Sequence, residues 1–362
     1  MNRSTRREFM QRAAALSASS LLVGSAAAQP AKKLGFALCG LGSLSTQQIA
    51  PALQSTRYCR LAGIITGSPD KAKQWRSRYA IPEQNVYSYD TMHRLADNPD
   101  IDVVYVVTPN ALHADHTIAA AKAGKHVFCE KPMEISVERC QSMIDACRAA
   151  NRLLGVAYRC QFDPYHRECM RIARAKEFGD VKIVAADFGF TIGDPTQWRL
   201  RRALAGGGAL MDVGIYALQA SRYITGEEPT LVSAIETQTD PIKFKEVDET
   251  IAWHAKFPSG AVANCHTSYN ASGLGRLRVD AQKGWFELDP AFNYDGIRGR
   301  RSDGKALAPP PANHFAAELD DFAQCILEKK ATRVPGEEGQ RDVRILMAIY
   351  EAAKTGKAVK LS

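Results

Sequence analysis

Between residues 34 and 158 short apolar runs alternate with amphipathic helical stretches, and this alternation restricts the fold more than any other feature of the chain. Leu34–Cys39 is an apolar run, Gly40-Leu41-Gly42 follows it, and a helical stretch passes through Gln47–Gln54. Leu61–Ile65 is a second run, succeeded by a helix over Pro69–Tyr79. Asp102–Val107 reads as a strand and His113–Ala123 as a helix closed by Gly124. His126–Cys129 reads as a strand, Val137–Ala150 as a helix and Leu153–Tyr158 as another strand. Apolar strands of this length, separated by helices, are buried on both faces, which predicts a parallel, doubly wound sheet of Rossmann type.

After Tyr158 the pattern changes. A helix near Pro164–Lys176 leads into longer β-rich runs at Val181–Phe190, Leu231–Gln238, Thr250–Phe257, Ala261–Ser268 and Leu277–Leu288. Pro258-Ser259-Gly260 has hairpin chemistry. Ala316–Lys329 and Gly339–Lys354 read as terminal helices. The expected fold class is therefore α/β, with a C-terminal α+β domain built on a mostly antiparallel open sheet. The expected boundaries are 1–28 for a signal segment, 29–158 for the dinucleotide domain and 159–362 for the substrate and oligomerisation domain.

The N-terminus reads as a twin-arginine export signal. Arg3, Arg6, Arg7 and Arg12 surround Ser4-Thr5-Arg6-Arg7-Glu8-Phe9-Met10, Ala13–Val23 is weakly apolar, and Ala26-Ala27-Ala28 offers a cut before Gln29. This predicts a periplasmic protein delivered folded by the twin-arginine machinery. The apolar stretch is short of the ~20 residues that span a bilayer, so no stable membrane anchor is expected. The formal charge is +8, of which four arginines and one glutamate in the first 28 residues account for +3. The best basic cluster left, Arg199-Leu200-Arg201-Arg202, is too short to predict a nucleic-acid partner. Nine cysteines are scattered, with no Cys-x-x-Cys pair. That predicts neither a disulfide framework nor a zinc site, and no metal is expected. Cys39 and Cys129, inside apolar runs, read as buried small hydrophobes.

Gly40-Leu41-Gly42-Ser43-Leu44-Ser45 leaves the first strand and opens a helix, which is the dinucleotide fingerprint with Ser45 in place of the third Gly or Ala. The first Gly makes the turn, the second lets backbone approach a pyrophosphate, and the helix N-terminus at Ser43 and Leu44 supplies N–H groups. The second strand ends in Thr66, with Ser68 and Lys71 behind it, where an NAD site usually carries Asp or Glu. Hydroxyls with a cation suit a 2′-phosphate, so NADP is expected over NAD.

Glu130-Lys131-Pro132 follows a strand, at the end of the sheet where ligands bind. Farther on, Gly206-Gly207-Gly208-Ala209-Leu210-Met211-Asp212-Val213-Gly214-Ile215-Tyr216 opens a helix, and four-residue spacing predicts Asp212 and Tyr216 on one face. Lys, Asp and Tyr together can move a proton off a hydroxyl while hydride leaves its carbon. A tyrosine with an ordinary pKa of ~10 needs a nearby cation to act as base near neutrality, and Lys131 is the expected one. His166, His254 and His266 show no ligand spacing and read as structural.

Thr108-Pro109-Asn110 with His113, Glu130-Lys131-Pro132 and Gly206–Tyr216 together make the chain resemble the Gfo/Idh/MocA oxidoreductases. Tyr158-Arg159-Cys160-Gln161-Phe162-Asp163-Pro164, Gln197-Trp198-Arg199-Leu200-Arg201-Arg202, Leu204-Ala205-Gly206-Gly207-Gly208 and Pro335-Gly336-Glu337-Glu338-Gly339 narrow the likeness to the glucose–fructose oxidoreductase branch and its aldose–aldose oxidoreductase subgroup. The resemblance implies tightly bound NADP(H) and a ping-pong cycle, in which one aldose is oxidised at C1 to an aldonolactone and a second aldose or a ketose is reduced to an alditol. It implies that Tyr216 is the general acid/base, Lys131 its partner, and that Asp212, Arg159 and Asp163 hold sugar hydroxyls. It implies that Thr108, Asn110, His113, Glu130, Trp198 and Arg199 contact the cofactor, with Lys131, Arg159 and Tyr216 reaching it too.

One departure stands out. The glucose–fructose oxidoreductases carry a proline-rich arm ahead of the first strand, whereas only Gln29–Lys33 separates the expected cut from Leu34. A homodimer through the C-terminal sheet and a monomer both stay open. Two other functions also stay open: a sugar dehydrogenase with a dissociable NAD(P), and an exported NAD-dependent glycosidase, against which Thr66 and the Lys131/Tyr216 pair argue.

Overall fold

The computed structural model describes residues 33–361, so the expected signal segment and cleavage site lie outside the described residues. The first half builds one parallel sheet from β1 (Leu34–Cys39), β2 (Cys59–Ile65), β3 (Val86–Tyr87), β4 (Val103–Val106), β5 (His126–Glu130) and β6 (Leu154–Ala157). Their spatial order is β3-β2-β1-β4-β5-β6. Every pairing is parallel. The order reverses between β1 and β4, which opens a crevice above their carboxyl ends.

The helices alternate with these strands as expected. A π-type turn at Ser45–Ile49 runs into α1 (Ala50–Ser55), followed by α2 (Pro69–Tyr79), α3 (His113–Lys122) and α4 (Val137–Ala149). Burial of every residue of β1 and β4 explains the uninterrupted apolar runs. Cys39 and Cys129 are fully buried among them. Ser68 and Ser136 start α2 and α4 by accepting the N–H groups of Lys71 and Arg139, which satisfies donors that a helix N-terminus leaves open.

The second half follows α5 (Pro164–Arg174) and β7 (Val181–Gly189), a short turn at Arg202–Ala205, and α6 (Ile215–Thr225). Then come β8 (Leu231–Thr237), β9 (Thr250–Lys256), β10 (Val262–Ser268), β11 (Leu277–Ala281), β12 (Gly284–Leu288) and β13 (Gly299–Arg301). Finally α7 (His314–Leu327), α8 (Gly336–Thr355) and β14 (Val359–Lys360) close the chain. The sheet order is β13-β12-β11-β7-β10-β9-β8-β14. Its pairings are antiparallel except β7 with β10. The expected hairpin is present: Gly260 donates its N–H to the Phe257 carbonyl at 2.9 Å.

Leu277–Leu288, read from sequence as one run, is two strands folded on each other, because Gln282-Lys283 turns the chain. Along β9, Ile251, Trp253 and Ala255 are buried while Ala252, His254 and Lys256 face out. One face of the sheet is thus covered by helices and the other is open. Beneath the covered face, Arg222 of α6, nearly inaccessible, is held at 2.5 Å by Asp342 and 2.8 Å by Glu338 of α8. Loss of either acid from such a buried group costs about 3–5 kcal/mol, and this pairing fixes the helix that begins at Tyr216.

The terminal helices return to the first sheet, which no local sequence pattern announces. Asp320 of α7 accepts the backbone N–H groups of Arg57 and Tyr58 at 2.9 and 2.8 Å. Phe322 stacks on Phe128 with ring centroids 4.7 Å apart, a contact contributing about 0.5–1.5 kcal/mol beyond its buried area. This docking turns the first residues of α7, Phe315 and Glu318, toward the crevice.

Candidate active site

A cavity of about 610 Å³ runs along the crevice, from Thr66, Ser68 and Lys71 past the glycine loop to Lys131, Arg159, Asp212 and Tyr216. Its volume is of the size that holds organic ligands. A second cavity of about 530 Å³ adjoins it and shares Lys131, Arg159, Arg199, Asp212, Tyr216 and Tyr294.

The glycine loop fits a dinucleotide. Gly40 has φ +101°, and a Cβ there would meet the Val107 carbonyl oxygen at 2.6 Å. Gly42 has nothing within 4 Å of where a Cβ would stand, so that side of the loop is open to the cavity, which Ser43 and Leu44 also line. Ser45, in the third fingerprint position, is buried and donates its hydroxyl to the Gly40 carbonyl at 2.6 Å. Serine is tolerated there because it ties the loop instead of making room. Thr66 ends β2 and accepts the Ser68 N–H at 3.2 Å, leaving its hydroxyl proton available. Lys71 reaches over from α2 to the Leu41 carbonyl at 3.1 Å, so its ammonium lies at the loop instead of in bulk solvent. No carboxylate is among the residues lining that end.

The loop after β4 frames the middle. Thr108, Asn110 and His113 line the cavity, but their polar atoms chiefly join segments. Asn110 donates to the Ala205 carbonyl at 2.9 Å. Thr108 Oγ1 and His116 Nδ1 are 3.1 Å apart. The His113 ring lies between the Thr108 carbonyl at 2.8 Å and the Pro132 carbonyl at 3.0 Å. Burial pushes His113 down to about 4 against the pull of those carbonyls, so at neutrality the uncharged ring donates its single N–H to one of them and faces the other without a bond.

At the chemical end the side chains form an ionic cluster. The Lys131 ammonium donates to the Asp212 carbonyl at 2.7 Å and to its carboxylate at 3.3 Å. Arg199 and Tyr269 both donate to the other carboxylate oxygen at 2.8 Å. Burial pushes Asp212 up, but Arg199, Lys131 and the Tyr269 hydroxyl overcome it and hold the group well below the usual carboxylate range. Glu130 accepts from Tyr105 at 2.7 Å; burial raises it against the opposing charge of Lys131.

Asp212 and Tyr216 both line the two cavities, as their spacing predicts, but two details differ. Asp212 and Tyr216 are not joined by a regular α-helical turn: Leu210–Gly214 forms a π-type turn before α6 begins. Such turns often occur at functional sites. The buried Asp248 accepts the Gly208 and Leu210 N–H groups at 2.5 and 2.8 Å, which anchors this turn. The cation at the Tyr216 oxygen is Arg159, which donates from Nε at 3.2 Å. Lys131 instead lies 4.7 Å from the centre of the Tyr216 ring. Burial raises the phenol strongly and Arg159 only partly offsets it, so Tyr216 rests as a protonated acid. Arg159 also gives one N–H from each terminal nitrogen to the Phe292 and Asn293 carbonyls at 2.5 and 3.3 Å. It therefore positions Tyr216 and still has two of its five N–H donors free for the cavities it lines.

Asp163 is not brought to the cavity. One of its oxygens caps α5 through the Tyr165 and His166 N–H groups at 3.0 Å, and the other faces His314 at 3.4 Å. Trp198 does line the cavity, with the Arg199 guanidinium 4.7 Å above its ring, while Arg199 Nε is taken up by Asp212. Sequence reasoning missed Tyr269, Tyr294 and Glu318. Tyr269 and Tyr294 belong to no motif. Glu318 left a signal, because it interrupts the helical stripe of Phe315, Leu319, Phe322 and Ala323, all of which are buried.

Comparisons with known proteins agree with this architecture. Residues 34–158 match the Gfo/Idh/MocA model described as an oxidoreductase family with an NAD-binding Rossmann fold. Residues 166–287 match the model of the Gfo/Idh/MocA C-terminal domain. A D-xylose 1-dehydrogenase (NADP(+)) of Haloarcula marismortui is 30% identical over 335 residues, spanning 90% of this chain and 92% of that protein. A 1,5-anhydro-D-fructose reductase of Ensifer adhaerens is 27% identical, spanning 90% of this chain and 97% of that protein. The crystal structure of the aldose–aldose oxidoreductase from Caulobacter crescentus matches with TM-score 0.89 and 47% identity, over 91% of this chain and all of that one.

Proposed function

The chain belongs to the Gfo/Idh/MocA oxidoreductase family, and on that premise we propose that it is a sugar oxidoreductase working with tightly held NADP(H). It oxidises one aldose at C1 to an aldonolactone and reduces a second aldose, or a ketose, to an alditol. The observation that carries this reading is the junction at Tyr216. The tyrosine lines both the cavity with the glycine loop and the adjoining cavity, with Arg159 on its oxygen and Lys131 under its ring. A group there can exchange a proton with a sugar hydroxyl at the carbon that exchanges hydride. The 47% identity to an aldose–aldose oxidoreductase supports two sugars as the substrates. The likeness to an NADP(+) xylose dehydrogenase and the position of Lys71 support NADP.

The glycine loop, Ser43 and Leu44 would hold the pyrophosphate, and Thr66, Ser68 and Lys71 the 2′-phosphate. When bound, the nicotinamide would supply the hydride acceptor and donor and, in its oxidised form, a positive charge in the site. The oxidative half needs Tyr216 ionised, its resting proton released to solvent once Arg159, Lys131 and the charge of the oxidised cofactor offset its burial; the phenolate then accepts the proton of the sugar O1–H. In the reductive half, Tyr216 returns that proton to the carbonyl oxygen of the second sugar. Asp212, kept ionised, orients Lys131 and can accept a sugar hydroxyl. The cycle is closed, since one aldose loses two electrons and two protons and the other gains them. Such closure suits a protein exported to the periplasm, as the N-terminus leads us to propose, where free dinucleotide is not supplied.

The test is to purify the full protein without added nucleotide, supply one aldose, and quantify products. The reading predicts equal lactone and alditol. Turnover only on addition of NADP would instead favour a dehydrogenase with a dissociable cofactor, as the xylose dehydrogenase relative suggests.

A further inference from the structure

Glu318 lines the cavity and has no part in the chemistry above. It is 1% exposed, lines the cavity beside Phe315, and neither carboxyl oxygen has a hydrogen-bond partner among the described residues. Orphaned buried acceptors are costly, and such groups call for an explanation in a folded protein. Glu130 also lines this part of the cavity, with its own oxygens engaged by the Tyr105 hydroxyl and the Lys131 N–H. Burial and the nearby Glu130 raise Glu318 well above the ordinary carboxyl range, with only partial relief from Arg159. A neutral carboxyl offers one donor and one acceptor side by side.

Position narrows what it meets. Glu318 lines the cavity that begins at Lys71, but not the adjoining cavity that Asp212, Phe190 and Phe292 line. It stands at the end away from Thr66, Ser68 and Lys71, with Lys131 and Tyr216. The part of a dinucleotide that belongs at that end and presents an adjacent donor and acceptor is a primary carboxamide.

Resting on the NADP reading above, we propose that Glu318 recognises the carboxamide of the nicotinamide, accepting from its NH₂ and donating to its carbonyl oxygen. The acid–amide pair sets the rotation of the ring and so which carbon lies toward Tyr216.

The experiment equilibrates the full protein with an equal mixture of NADP+ and its 3-acetylpyridine analogue, in which a methyl ketone replaces the carboxamide. Excess nucleotide is removed and the retained pair is quantified by chromatography, with no turnover involved. The wild type is expected to retain NADP+ at least about tenfold over the analogue. Glu318→Leu is expected to bring the ratio near one, and Glu318→Gln, whose amide keeps a donor and an acceptor, to preserve it. Equal retention by the wild type overturns the assignment without any variant. A Glu318→Leu protein that keeps the wild-type ratio overturns it as well. Failure of the wild type to retain either nucleotide, or 2′-phospho-ADP-ribose offered alone, overturns the NADP reading itself and the assignment with it. Retention of 2′-phospho-ADP-ribose with no preference between the two full nucleotides overturns only the assignment.

Discussion

The two ends of the crevice are built by different means. At the glycine loop nearly everything is local: Gly40, Gly42, Ser43, Leu44 and Ser45 are consecutive, and the binding groups are backbone N–H donors at a helix start. At Tyr216 nothing is local. Lys131 comes from the end of β5, Arg159 from the turn after β6, Asp212 from a π-type turn, Tyr269 from the end of β10, and Glu318 from a helix near the C-terminus. Backbone donors recognise an anion without ionising. A side-chain cluster instead sets which group carries a proton, because Arg199, Lys131 and Tyr269 hold Asp212 down while burial holds Tyr216 up. On the proposed reading the first end is therefore built to bind and the second to react.

That division is open to direct attack. The largest expected effect is at the reacting end: Tyr216→Phe should lower kcat by about 100- to 10,000-fold, the usual worth of a positioned acid/base. Nucleotide affinity should change less than threefold by the same reasoning, since the aromatic ring stays. Next come paired changes at the binding end. Gly42→Ala should leave the melting temperature unchanged and weaken NADP binding by about tenfold or more, because the methyl group meets only ligand space. Gly40→Ala should lose about 1–3 kcal/mol of folding stability, because the methyl group meets the Val107 carbonyl and φ is positive. If both variants melted alike, the distinction between turn and cradle would fail.

Lys71→Ala should weaken NADP by about tenfold and leave NAD unaffected, as read by competition between the two nucleotides. The last effect is read in folding stability and concerns the loop between the two ends. His113 is pushed down to about 4 by burial. Between that value and the ordinary ~6.5 the unfolded chain binds a proton that the folded chain refuses. Folding stability should therefore fall as pH drops from 6.5 toward 4, by up to about 3 kcal/mol from this residue. Denaturant unfolding of His113→Gln should show a shallower pH slope than the wild type.

Legibility in the sequence follows the same division. The fingerprint, the strand–helix alternation and Thr66 in place of an acid could all be read, because each depends on neighbours in the chain. Both sheets and their parallel or antiparallel character were readable from burial periodicity. The partner of Tyr216 is not: Lys131 is the expected cation at the phenol, but Arg159, brought in by the turn after β6, holds it while the Lys131 ammonium is drawn to Asp212. Asp163 follows an Arg159-containing segment and yet turns away, since a helix start at Pro164 claims its carboxylate. Tyr269 and Tyr294 depend on how distant elements dock, which no spacing rule encodes, and the break in the apolar stripe at Glu318 shows that the residue is unusual but not what it faces.

The central claim is that one nicotinamide, held between these two ends, carries hydride from sugar to sugar. It is tested most directly with an aldose carrying deuterium at C1, mixed with a second, unlabelled aldose and protein to which no nucleotide has been added. The account predicts that deuterium appears on C1 of the alditol formed from the unlabelled aldose, in proportion to that sugar's share of the reduction and with none released to water. Lactone formed without labelled alditol, or deuterium lost to solvent, would contradict it.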